Sequence, residues 1–124
     1  MFRINSDLTI ECTRGDAAIF SVGAKLNDAT YTFREGDVVR FSVCTKKNYS
    51  DVVLQKDTVV EADTEAVEIQ LEKEDTKFGD GINKATEFWY EVELNPDTHP
   101  QTIIGHTADG AKVFTLYPEG VKEG

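Results

Sequence analysis

Apolar and polar positions alternate along most of this chain, in short runs. The clearest is at 67–71, where Val67, Ile69 and Leu71 fall on one side and Glu68, Gln70 and Glu72 on the other. A period of two marks a strand with one buried face, and the 3.6-residue period of an amphipathic helix is nearly absent. The pattern predicts strands near 8–12, 18–25, 37–44, 52–56, 67–71, 87–94, 101–106 and 112–116. Turns rich in Gly, Asp and Asn separate them, at TRGD, LNDAT, REGD, KKNYSD, EADTEA, NPDTHP and ADGA. Short strands at this spacing predict an all-β sandwich or barrel. Parallel α/β folds need a helix in each crossover, and no segment is long enough to supply one, so mostly antiparallel pairing is expected.

Parity assigns the faces. Phe20 and Val22 point inward from the second strand, and Val39, Phe41 and Val43 from the third. In FWYEVEL, Phe88, Tyr90, Val92 and Leu94 share the inward face and leave Trp89, Glu91 and Glu93 on the other. Trp89 on a Glu-lined face is either a ring partly covered by a neighbouring loop or an anchor for a partner protein.

One ten-residue pattern occurs twice. TRGDAAIFSV (13–22) and REGDVVRFSV (34–43) match at five of ten positions. Gly supplies a left-handed backbone for a tight turn, and Asp is placed to hydrogen-bond the backbone two residues on, so the pair needs no ligand to explain it. No third copy appears near residue 57, so this is a device used twice and not a solenoid. Arg14-Gly15-Asp16 has the letters of an adhesion tripeptide, but adhesion requires both charges splayed at the tip of a mobile loop, and only a few residues separate the flanking strands. On this view Gly15 and Asp16 matter for stability and Arg14 does not.

The stretch EKEDTKFGDGINKATEF (72–88) is the irregular one. EDTKF is expected to form a single helical turn with Phe78 tucked under the sheet edge. GDGIN resembles a calcium loop only faintly, since Asp75, Asp80 and Asn83 do not keep the alternating ligand spacing of an EF-hand.

The chain has 124 residues, one domain by size, with loose ends expected at about 1–6 and 118–124. Its net charge is −10, which argues against binding to nucleic acid or an anionic membrane and favours a partner with a basic face. No apolar run approaches the ~20 residues of a membrane helix, and the first ten residues lack a signal-peptide layout, so a cytoplasmic origin is expected. Cys12 and Cys44 fall on opposite strand faces. That argues against a disulfide and for one buried and one half-exposed thiol. His99 and His106 follow no zinc-finger spacing and sit beside turns, where solvated surface histidines are common. The acidic pairs are what an outward strand face looks like, and no phosphate-binding glycine loop occurs. No catalytic residue, cofactor or metal is expected.

The order of motifs is more specific than any one of them. LTIECTRGDAAIFSV, YTFREGDVVRFSV, VVLQKD, VEIQLEKEDTKF, FWYEVEL and QTIIG follow one another over residues 8 to about 118. In this the chain resembles the immunoglobulin-like N-terminal domain of baseplate upper proteins from phages of Gram-positive bacteria, and small relatives encoded in phage and prophage tail modules. The resemblance implies an immunoglobulin-like β-sandwich of seven to nine strands. It also implies a virion component, made in the bacterial cytoplasm, that binds a neighbouring tail or baseplate protein without chemistry, with self-association as a further possibility. The loop 78–87 is longer than in that pattern. Those baseplate proteins continue into a stalk and a receptor-docking domain, whereas this chain stops at Gly124, so only the attachment module is expected to carry over. The residues expected to meet a partner are Trp89, Tyr49 and Tyr31, with Phe78, Asp80 and Asn83 of the loop. Two rivals are a carbohydrate- or cell-surface-binding module on the same sandwich, and a small hydrolase built around His99 or His106.

Overall fold

A computed structural model describes residues 1–79, 81–105, 107 and 110–119. Among them the protein is all β, with β1 (Phe2–Ile4), β2 (Ile10–Thr13), β3 (Ala18–Val22), β4 (Lys25–Leu26), β5 (Ala29–Thr30), β6 (Val38–Cys44), β7 (Val52–Val59), β8 (Val67–Leu71), β9 (Thr86–Leu94), β10 (Gln101–Ile104) and β11 (Lys112–Tyr117). No helix among these residues is long and apolar enough to cross a membrane.

The principal sheet has the order β1-β2-β11-β9-β6-β7, and β10 pairs with the far half of β9. β3 and β8 form a separate antiparallel ribbon, and β4 and β5 a small hairpin. The principal sheet is mixed, because β11 runs parallel to β2. This corrects the expectation of mostly antiparallel pairing. That expectation rested on short connections, which force neighbouring strands to run in opposite directions. β2 and β11 come from opposite ends of the chain, and no short connection constrains them.

The alternating runs became strands because each puts one row of apolar side chains into a shared core. β8 is buried at Val67, Ile69 and Leu71 and exposed at Glu68 and Gln70. β6 contributes Val39, Phe41 and Val43, and β9 contributes Phe88, Tyr90, Val92 and Leu94. Phe20 of β3 meets Phe41 edge-on at 5.4 Å and stacks on Phe2 at 5.2 Å, which joins the ribbon to the principal sheet. Each such side chain removed from water contributes about 1.5–3 kcal/mol before the entropy of ordering it is subtracted.

Several expectations are adjusted. The first residues, read as a loose end, hold β1, whose Phe2 is drawn in by the Phe20 ring. The run at 18–25 is two strands, because β3 ends at Val22 and β4 starts a hairpin at Lys25. Asn27 and Asp28 form its two-residue turn, both at positive φ (53° and 63°), the conformation that matches the twist of a tight hairpin. The segment 73–76 forms successive turns and no helix. Cys44 is buried like Cys12, and both thiols are free. Cys44 does lie on the outer face, but the loop after β6 folds over it.

The repeated Gly-Asp stretch is a turn in both copies. The Asp16 N–H donates to the Thr13 carbonyl (3.1 Å), and the Asp37 N–H to the Arg34 carbonyl (2.9 Å). Gly15 and Gly36 sit at φ 88° and 93°. The carboxylate does not reach forward as expected. Asp37 Oδ2 accepts the Arg34 N–H three residues back (2.9 Å), while Asp16 accepts from the amino group of Met1. The backward bond recurs at a third place, where Asp75 Oδ2 accepts the Glu72 N–H (2.8 Å) and the Asp75 N–H returns to the Glu72 carbonyl (3.0 Å). That turn has no glycine and shares only its final Asp with the repeat.

Arg14 is the largest correction. Its guanidinium turns back onto the molecule and donates to the Phe78 carbonyl (2.9 Å), the Lys77 carbonyl (2.9 Å) and Glu119 Oε1 (2.7 Å). Beside it the buried Thr76 hydroxyl donates to the Asp16 carbonyl (2.8 Å) and accepts the Gly15 N–H (3.0 Å). The supposed adhesion tripeptide is therefore a clamp joining the turn 13–16 to the segment 76–78 and to Glu119.

Candidate interaction face

Odd positions of β9 point away from the core, so Trp89 stands on the outer face of the principal sheet. The registers place Cys44 of β6 on one side of it and Val113 of β11 on the other, and Val52 of β7 lies opposite Cys44. The result is an apolar row across four strands, with Val52 and Val53 exposed at its β7 end. Lys47 holds its ammonium 5.9 Å from the centroid of the Trp89 ring, within the range of a cation–π contact. Lys47, Trp89, Val113, Glu87 and Ala111 line a shallow depression of about 310 Å³. Trp89 is half-buried. It is thus neither sealed in the core nor fully free.

The loop 45–51 shapes this face. It closes through the Thr45 N–H to the Asp51 carbonyl (3.1 Å) and the Tyr49 N–H to the Lys46 carbonyl (3.0 Å). Tyr49 and Asp51 take left-handed backbone angles, φ 60° and 58°. Tyr49 follows β6, yet its hydroxyl accepts the Lys112 N–H of β11 at 3.2 Å. Since β9 lies between those strands, the phenol crosses β9 beside Trp89 and Glu91. Burial pushes the Tyr49 phenol and the Cys44 thiol up from their ordinary values. Burial, reinforced by Glu93, likewise raises the Glu91 carboxyl.

Farther along the same face the side chains are polar and paired. Arg40 meets Asp57 at 2.8 Å and Asp97 at 3.2 Å. Glu11 accepts from the Tyr117 hydroxyl (2.8 Å), Arg3 (2.7 Å) and Asn5 (3.2 Å). These bonds, the Tyr117 hydroxyl foremost, hold the Glu11 carboxyl down at about 2.

Of the six residues expected to meet a partner, the fold brings two together, Trp89 and Tyr49. Tyr31 lies at the other end of the sheet. Its hydroxyl donates to Asp37 (2.8 Å), and Asp37 also holds Asn95 (3.1 Å). Asn95 follows the end of β9, about 20 Å along the strand from Trp89. Phe78 is committed to the core edge, 4.9 Å from Phe88 and 5.7 Å from Phe114. Asn83 is exposed in the loop before β9, and Asp80 lies outside the described residues. Lys47, Val52 and Val113 belong to the face but carry no signal in their local sequence, because only strand register brings them to Trp89.

His99 is exposed in the turn after β9, and His106 lies outside the described residues. Among the described residues no group of three or more His, Cys, Asp or Glu side chains is gathered as a metal ion requires. Fold and face define an all-β protein with a mixed principal sheet and an apolar row on its open side. No family model, curated protein or solved structure matches the chain.

Proposed function

We propose that this protein is a non-catalytic assembly module of a phage or prophage tail or baseplate, an immunoglobulin-like β-sandwich that binds a neighbouring virion protein. The observation that carries the binding role is the half-buried Trp89 in an apolar row on an acidic domain. Aromatic anchors of this kind carry much of the energy of protein contacts. The net charge of −10 favours a basic partner and salt-sensitive association. A standard interface buries about 800 Å² per partner, enough to cover this row and its polar border. The phage assignment rests on the order of sequence motifs. The sandwich reading is supported by the alternation of the chain between layers: β2, β6, β7, β9 and β11 belong to the principal sheet, β3 and β8 to the ribbon packed on it.

The test is to raise antibodies against the chain and examine tail particles from the source strain by electron microscopy and mass spectrometry. Label at one end of the tail is expected, and Trp89→Ala should reduce incorporation while leaving the fold intact. Absence from both mature particles and assembly intermediates, with the gene lying among genes of ordinary metabolism, would overturn the assignment.

A further inference from the structure

A second concave place lies on the molecule, away from the Trp89 face. It is an apolar cleft of about 290 Å³ at the opening between the ribbon and the principal sheet. One wall is formed by Phe20, Ser21, Val22 and Gly23 in unbroken succession. Phe20 and Val22 point inward and Ser21 outward, so four consecutive residues can border one cleft only if the edge of the strand faces it. β3 pairs with β8 along its other edge, and no strand among the described residues occupies this one. The opposite wall carries Ile103 and Ile104 of β10, which is likewise paired on one side alone, to β9. Two open strand edges thus flank one apolar space, floored by Tyr90 and Val92.

The mouth is apolar as well. Ile4 is 40 % and Leu8 39 % exposed. Leu8 holds a left-handed backbone, φ 71°, and its carbonyl accepts the Tyr90 hydroxyl, which fixes the turn 5–9 at the rim. An open edge offers a row of backbone donors and acceptors and is a template for pairing. The volume lies at the bottom of the usual 300–1,000 Å³ range for small-ligand pockets, which suits a few side chains of a peptide better than a free ligand.

We infer that this cleft receives an extended segment of a basic partner protein, added as a strand along β3, with apolar side chains at alternate positions filling the space above Tyr90. Charge selects this occupant over a second copy. Each chain carries −10, and no charged side chain lines the cleft itself. Two chains of this charge repel, whereas Lys or Arg at the outward positions of an incoming strand is attracted. Main-chain bonds supply affinity in this mode and the alternate side chains supply selectivity. The inference deepens the assembly reading by naming how a partner is held, and it rests on that reading only for the partner being a protein.

The probe is a fluorescein-labelled peptide of about ten residues, with valine or isoleucine alternating with lysine or threonine. Binding is followed by anisotropy and mapped by amide hydrogen exchange. Saturable binding is expected, with new protection at residues 19–23 and 102–104. A peptide of the same sequence N-methylated at every second residue keeps its side chains but loses the edge donors, and should bind on the order of tenfold more weakly. Ile4→Lys, at an exposed position, should weaken binding similarly. The inference is overturned by equal binding of the methylated peptide, by protection mapping to the Trp89 face, or by no saturation up to about 1 mM. A free protein that sediments as a dimer with residues 19–23 already protected would replace the partner with a second copy. The assay reads the cleft alone, so its failure leaves the particle experiment standing, and the reverse also holds.

Discussion

Arg14→Ala is the most informative single substitution, because Arg34, at the first position of the matching turn, supplies an internal control: an arginine in the same motif whose side chain is exposed. The Arg14 guanidinium makes three charge-assisted hydrogen bonds, two to backbone carbonyls and one to Glu119, and its side chain is 19 % exposed. A net hydrogen bond contributes about 1 kcal/mol, more when one group is charged. Glu119 is 40 % exposed, so its share is reduced by solvent screening. The expected loss is about 2–3 kcal/mol, or roughly 6–12 °C in Tm for a chain of this length. Arg34 is exposed and lends its backbone N–H and C=O to the matching turn, so Arg34→Ala should stay within about 0.5 kcal/mol of the parent. Arg14→Lys keeps the charge but cannot reach both carbonyls, and should fall between the two. Urea unfolding followed by the fluorescence of Trp89, the single tryptophan, measures all three, with an unchanged m-value as the check on two-state behaviour. Equal stability of the Arg14→Ala and Arg34→Ala proteins would refute the clamp.

Other outcomes follow from the same geometry. Gly36→Ala meets no atom within 4 Å and should cost only the left-handed backbone, about 1–2 kcal/mol; Gly79→Ala also meets Leu116 at 3.1 Å and Phe88 at 3.3 Å and should cost more, as thermal unfolding of the pair will show. The Glu11 carboxyl is depressed in the folded protein from 4.5 to about 2, so its contribution is complete above pH 4.5 and lost as pH falls toward 2; Glu11→Gln should flatten the stability profile across that window. Glu91 is shifted the other way, so its contribution is complete below pH 4.5 and lost as pH rises through the folded value; Glu91→Gln should raise Tm at pH 7 and leave it unchanged near pH 3. Burial pushes the Cys12 thiol up to about 11 and raises that of Cys44, so neither should react with a thiol reagent at neutral pH until denaturant is added; fast native labelling of Cys44 would show that the loop 45–51 does not cover it.

The β-strands were legible in the chain wherever one face had to be buried. Val67, Ile69 and Leu71, or Phe88, Tyr90, Val92 and Leu94, announce their inward rows by parity, because burial imposes a period of two on any strand with one wet side. The turns were legible for a related local reason, since Gly15, Gly36 and the pair Asn27–Asp28 stand where the backbone is left-handed. β1 was not legible, because three residues carry no period and Phe2 is held by a ring eighteen positions away. The Arg14 clamp was equally invisible, since two of its acceptors are carbonyls at 77 and 78, which every residue possesses, and the third, Glu119, lies 105 positions away. The parallel pairing of β2 with β11, the row from Val52 to Val113 and the cleft between the edges of β3 and β10 all join segments distant in the chain. Sequence alone determined which residues turn inward and where the chain bends, for those are local demands of burial and backbone sterics. Which strands become neighbours, and hence where the apolar row and the open edges lie, was decided only by how the buried rows pack against one another.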